Sequence, residues 1–197
     1  MIKRYMVAVL AAVALVASQA QAADTYNIDA AHTTVGFSIQ HMVISKVKGR
    51  FNEFSGSIQV DPKATPTVTE ATIAIKVASI DTANTKRDDH LRAPDFFDAA
   101  KFPDMTFETT KIEKTGDDLA AHGKLTIRGV TKEIELPFKL NGPITDPLGN
   151  TRVGIEGRTK LNRKDYGLTW SKTLETGGLV VGDEVEIEIQ LEAVKAK

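Results

Sequence analysis

The last regular stretch of the chain restricts its fold more than any other. Between Glu184 and Glu192, Val185, Ile187, Ile189 and Leu191 alternate with Glu184, Glu186, Glu188, Gln190 and Glu192. On a helix those four apolar side chains would spiral around all sides, whereas on a strand they share one face. The segment is therefore a strand with one buried face and one wet face. The same period of two recurs through most of the chain, so the expected fold class is all-β.

Thr34–His41 places Val35, Phe37 and Ile39 on one face, and His41 continues that face at the strand end. Val47–Val60 begins with Val47, Gly49 and Phe51 in phase, then slips by one residue at Asn52-Glu53, so that Phe54, Gly56 and Ile58 carry on. That slip predicts a β-bulge, a device that bends long strands. After the turn Asp61-Pro62-Lys63, the third strand, Thr67–Ser79, aligns Ala71, Ile73, Ile75 and Val77. Met105 and Phe107 open a fourth strand, and Gly116-Asp117-Asp118 turns it into a fifth containing Leu125 and Ile127. Arg128-Gly129-Val130 predicts a tight hairpin to Ile134, Leu136, Phe138 and Leu140. Pro137 lacks a donor there and belongs at a bulge or an unpaired edge. A loop is expected from Asn141 to Asn150 and a seventh strand over Arg152–Leu161. The segment Asn162–Gly178 is mixed in character and holds Tyr166 and the sole tryptophan, Trp170.

The alternation stops once, across Arg87–Phe107. Thr85 is expected to cap a short helix there, with Asp88 as its capping-box partner. Pro94 ends that helix by pushing the preceding residue out of the α region. Asp95 is expected to cap a second turn over Phe96–Lys101. A helix this short is not stable alone. Phe96, Phe97 and Phe102 also need an apolar partner, so the insert should lie across an opening in the β-structure and plug it.

About eight strands, each with one polar face, fit a closed barrel or a sandwich. Sequential hairpins favour an up-and-down barrel whose last strand pairs with its first. An eight-stranded barrel has room for one small ligand, and long strands deepen the lumen. Glycines on the inward parity (Gly49, Gly56, Gly123, Gly157) favour open space over a lumen filled by side chains. The expected lumen wall comprises Val35, Phe37, Ile39, Phe51, Ile73, Ile75, Met105, Phe107, Leu125, Ile127, Val185, Ile187 and Ile189, with Phe96, Phe97 and Trp170 near its mouth. His41 sits where it either meets a ligand's polar head or bonds a nearby backbone carbonyl. Arg87 and Arg92 either meet that head or pair with Asp88 or Asp95.

Composition narrows the function. Residues 1–22 form an expected signal peptide, with a basic start at Lys3 and Arg4, an apolar run over Met6–Val16 and a small-x-small site at Ala20-Gln21-Ala22. The apolar run is too short to span a bilayer. Removal of residues 1–22 takes away two of the 25 basic groups, leaving 23 against 26 acidic ones, so residues 23–197 form one slightly acidic domain. That balance offers no footprint for nucleic acid. With no cysteine in the chain, disulfides, thiolate metal sites and a cysteine nucleophile are excluded. The four histidines form no H-x-x-x-H or H-E-x-x-H pair, and no phosphate, dinucleotide or serine-hydrolase fingerprint appears, so no metal, cofactor or catalytic residue is assigned.

The stretch RDDHLRAPDFFDAAKFPDMTF (87–107) resembles the signature of the YceI-like family. The likeness extends to HTTVGFSIQHM at His32–Met42, VKGRFNEFSG at Val47–Gly56, GKLTIRGVTKEIEL at Gly123–Leu136 and LNRKDYGL at Leu161–Leu168. It implies an eight-stranded antiparallel, lipocalin-like barrel, with a short helical insert between strands 3 and 4. The barrel would hold an isoprenoid-chain lipid, quinone or polyprenyl, or another long-chain amphiphile. Together with the signal peptide it implies a periplasmic carrier that exchanges its guest transiently with a membrane. A homodimer is a further family expectation. The alternative is an enzyme acting on an amphiphile within the same barrel.

Overall fold

The computed structural model describes residues 23–63, 67–116, 118–175 and 177–197; the expected signal peptide lies outside them. Eleven strands form one antiparallel sheet: β1 (Asp24–Ile28), β2 (Thr34–His41), β3 (Ser45–Phe51), β4 (Phe54–Asp61), β5 (Thr67–Lys76), β6 (Ile80–Asp81), β7 (Asp104–Thr115), β8 (Asp118–Ile127), β9 (Val130–Thr145), β10 (Thr151–Asn162) and β11 (Val181–Lys195). A helix, α1 (Thr85–Arg92), separates β6 from β7.

Three pairs of these strands are single long runs with a break. A 3₁₀ turn over Ala30–His32 joins β1 to β2, and another over Val77–Ser79 joins β5 to β6. The slip at Asn52-Glu53 is a two-residue break between β3 and β4. It is matched by the break in its neighbour, since Asn52 N donates to Ser79 O at 3.1 Å and Lys76 N to Glu53 O at 2.9 Å. Counted as runs, the sheet has eight strands in up-and-down order. β11 closes it by pairing with β10 on one side and with both β1 and β2 on the other (Ile28↔Ala193, Val35↔Ile189, Phe37↔Ile187). The result is a closed eight-strand antiparallel barrel.

Local chemistry explains the turns and corrects several expectations. Arg128 and Gly129, at φ 51° and 74°, make the two-residue hairpin between β8 and β9, the primed-turn geometry that suits strand twist. The loop expected over Asn141–Asn150 is shorter, because β9 continues to Thr145 and a register shift between Arg152 and Gly154 absorbs the irregularity. Asp146 closes the remaining turn by accepting from the Leu148 and Asn150 amides at 2.9 Å each. The β9–β10 ladder stops at Phe138↔Gly157, one residue short of Pro137. Beyond it, Glu135 O accepts from the Thr159 hydroxyl at 3.0 Å.

The helical insert also differs in detail. The helix cap is Asn84 rather than Thr85; its side chain accepts from Arg87 N at 3.1 Å. Asp88 is no capping-box partner. It is buried and accepts from the Thr82 amide at 3.0 Å and from the Thr82 hydroxyl, fixing the end of β6. The expected second helical turn is a chain of tight turns, with Asp98 at φ 52°. Its amides reach back to Leu91, Ala93 and Asp98 carbonyls, and Asp95 instead meets His90 Nε2 at 3.2 Å.

The core divides into two clusters. One fills the closed end with Tyr26, Ile58, Val60, Phe138, Val153 and Ala193. The other lies beneath the insert, where Phe51, Ile75, Val77, Ile80 and Met105 meet Leu91 and Phe97. Each fully buried side chain of this size contributes about 1.5–3 kcal/mol. The inward glycines do not open empty space. A Cβ on Gly49 would overlap the Phe37 ring, and one on Gly123 would lie 2.6 Å from the Phe107 ring. Gly49 and Gly123 thus make room for aromatic rings laid across the neighbouring strand, and Gly56 and Gly157 for the close approach of neighbouring backbone, which corrects their reading as a sign of vacancy.

Candidate functional site

Between the two clusters and the barrel mouth lies a cavity of about 370 Å³, within the range of small-molecule sites. Its wall includes each position that parity assigned to the lumen. β2 provides Val35, Phe37, Ile39 and His41, and β3 provides Phe51. Ile73 and Ile75 come from β5, Met105 and Phe107 from β7, Leu125 and Ile127 from β8, and Val185, Ile187 and Ile189 from β11. Phe96 and Phe97 enter from the insert and Trp170 from the segment before β11. The strands bring these residues together because their inward faces converge, while Glu186 and Glu188 point outward to Lys46 and Arg158.

The insert and the segment after β10 meet over the mouth. The Phe96 and Trp170 ring centroids are 5.2 Å apart, and the His90 ring stands edge-on to both, at 4.9 and 5.1 Å. Phe97 stands edge-on to Phe51 at 6.0 Å, which carries the insert's packing into the barrel. Arg128 ties the two covers together, donating to Gly167 O at 2.7 Å and Pro94 O at 2.8 Å.

Further wall positions were not singled out in the sequence. Ile134, Leu136, Ile155 and Leu161 follow the same alternation and were within reach of it. Arg163, Tyr166 and Leu168 were not, because a 3₁₀ turn over Arg163–Tyr166 has no strand period. Arg163 is buried and donates to the carbonyls of Gly182 at 2.7 Å and Trp170 at 2.8 Å, with Asp183 at 3.2 Å. Burial lowers its pKa from the ordinary value while Asp183 opposes that shift. Burial, with a smaller push from Asp165, raises the Tyr166 phenol to about 12. Its hydroxyl has no hydrogen-bond partner among the described residues.

The polar groups of the wall are mostly committed. Arg87 donates to the Thr82 hydroxyl at 2.7 Å and carbonyl at 2.6 Å. Arg92, which lies outside the wall, bonds the Ala78 and Ile80 carbonyls and Asp89. Neither arginine pairs with Asp88 or Asp95, because those carboxylates are held by Thr82 and His90. The His41 ring, by contrast, has no hydrogen-bond partner among the described residues, so the carbonyl bond expected as one of its readings is not formed. Asp29, His32 and Glu192 converge outside the cavity in a way that could suit a cation. Arg152 already supplies the charge there, donating to Asp29 at 2.8 Å, Glu192 at 2.6 Å and Asp146 at 2.7 Å. Those bonds, with His32, hold Asp29 down at about 2. Such a wall suits an apolar chain and has little with which to solvate a buried charge.

A closed up-and-down barrel with an apolar cavity under a short helical cover defines a lipocalin-like class of proteins. Residues 26–193 match the YceI-like domain, and the chain belongs to that family. It is 39% identical to Protein YceI of Escherichia coli O6:H1 over 183 residues, 92% of each chain. A Campylobacter jejuni YceI crystal structure aligns at TM-score 0.69 and 37% identity, covering 86% of this chain and 96% of that one. A Saccharophagus degradans domain described as polyisoprenoid-binding shares the fold at TM-score 0.63 and 19% identity, covering 89% of this chain and 100% of that one.

Proposed function

We propose that this protein holds an isoprenoid-chain lipid, quinone or polyprenyl, in the barrel cavity and carries it in the periplasm without transforming it. The observation that carries this reading is the continuous apolar wall formed by the inward faces of the strands and the insert. Family membership and the polyisoprenoid-binding description of one structural neighbour support the chain chemistry. Sequestration from water contributes about 0.8 kcal/mol per buried methylene. Relative to a bilayer that gain nearly vanishes, since lipid tails are as apolar as the cavity. The guest therefore exchanges with membranes, as a carrier requires. In this reading the His41 ring, without a hydrogen-bond partner among the described residues, meets the polar head at the mouth.

Solvent extraction of the purified protein followed by mass spectrometry tests the reading. An intact isoprenoid at near-equal stoichiometry supports a carrier. Turnover of the amphiphile would favour the enzyme, and an empty extract would overturn both. The intact mass of protein recovered from the periplasm should correspond to a chain beginning at Ala23.

A further inference from the structure

The turn between β2 and β3 is built from Met42, Val43 and Ile44, three consecutive large apolar side chains that are 40%, 62% and 83% exposed. Two of them hold the left-handed backbone, Met42 at φ 51° and Val43 at φ 65°. For a β-branched residue that conformation is an outlier that glycine or asparagine would adopt more easily. The sequence thus keeps apolar groups in water on a strained turn, at a place where neither folding nor solubility gains from them.

The position of the turn is informative. Met42 N donates to Val180 O at 2.9 Å, and Val43 lies against Gly178. His41, Val180 and Val181, which flank these contacts, all line the cavity. The apolar tip is therefore part of the cavity rim. Among the described residues the other large apolar side chains that stand exposed, Ile144 and Leu148, lie at the opposite end of the barrel, where β9 turns into β10.

We infer that Met42–Ile44 is a membrane-docking tip that dips into the surface of a lipid bilayer and sets the cavity mouth against it. Three side chains on one turn fall well short of the ~800 Å² per partner of a stable protein interface, but they suffice for shallow insertion among lipid headgroups. The carboxylates facing the tip from β11 are neutralised. Asp183 is held by Arg163 and Lys164, Glu184 by Lys160 and Glu186 by Lys46. On the adjoining turn Glu175 and Lys172, of opposite charge, are both exposed. The rim thus carries no net repulsion toward a zwitterionic or weakly anionic surface. The outward face of β11 carries charged side chains such as Glu186 and Glu188, so contact through this tip leaves the barrel outside the bilayer.

This inference rests on the carrier reading for its purpose but not for its test. The purified chain is mixed with vesicles of phosphatidylcholine, with and without phosphatidylglycerol, and separated by flotation. Ile44→Glu and Val43→Asn are run beside it, and a matched thermal midpoint shows that each folds. Parent protein floating with the vesicles, and at least tenfold weaker partitioning of both variants, is the expected result. No flotation of the parent, or equal flotation of all three, overturns the tip. Sedimentation velocity run in parallel separates the other occupant: a parent dimer that Ile44→Glu dissociates, without vesicle binding, assigns the tip to a second copy instead. Flotation with an empty lipid extract would overturn the carrier reading alone, and a loaded protein that does not float would overturn the tip alone.

Discussion

Tyr166 and Arg152 show opposite ways of treating a polar group. The Tyr166 hydroxyl is removed from water with no partner among the described residues, and an unsatisfied buried group costs about 1–3 kcal/mol. Tyr166→Phe should therefore leave stability unchanged or raise it by about 1 kcal/mol, read from urea denaturation; a clear loss would mean that the hydroxyl bonds water. Arg152 instead satisfies three carboxylates at once. Asp29 titrates at about 2 in the folded protein, below the ~3.9 of an unfolded chain. Asp146 is also held well below its ordinary range by Arg152 and by the Asn150 amide. A depressed carboxylate stabilises the fold fully above its unfolded value, and that stabilisation is lost as pH falls through the folded one. Denaturation midpoints should therefore drop between about pH 4 and pH 2, and Arg152→Met should flatten that dependence while lowering the plateau above it.

Among the elements, the insert holds the mouth cover in place through a few contacts. Phe96 is buried against His90 and Trp170, so Phe96→Ala should cost about 3 kcal/mol as a core truncation. Asn84→Ala removes only a helix cap and should cost about 1 kcal/mol. Equal losses in chemical denaturation would show that Phe96 packs on nothing rigid. The strands were legible because a buried face imposes a period of two, and Val185–Leu191 displays it without interruption. The cap is ambiguous in the sequence because Asn84 and Thr85 are adjacent and both competent. The choice falls to the end of β6, where Thr82 draws Asp88 inward, a contact between residues with no shared period. The wall roles of Tyr166 and Arg163 have no sequence signal for the related reason that their turn is held by long side-chain bonds rather than by alternation. The inward glycines were visible, but the Phe37 and Phe107 rings lying over them were not, since parity marks a face and not what crosses it.

At the scale of the molecule, the barrel separates a lumen from a wet wall along each strand. Ile187→Trp should fill part of the cavity and lower the amount of co-purified lipid, at a strain cost of about 1–3 kcal/mol. Glu188→Gln, one residue away and outward, should leave occupancy as in the parent; equal lipid content in all three proteins would move the guest out of the barrel. Closure has a consequence for how the chain reaches this state. The Ser38 hydroxyl donates to Glu186 across 148 residues of sequence, and joining segments so far apart costs loop entropy before any contact offsets it. The hairpins from β7 to β10 are local and can form early, whereas the β2–β11 seam must form late. Before β11 is in place, β10 and β2 each present an open edge, a template for pairing with other chains. Because β11 follows every other strand in the sequence, synthesis interrupted before it leaves a half-built sheet with two adhesive borders. A chain that includes β11 covers both.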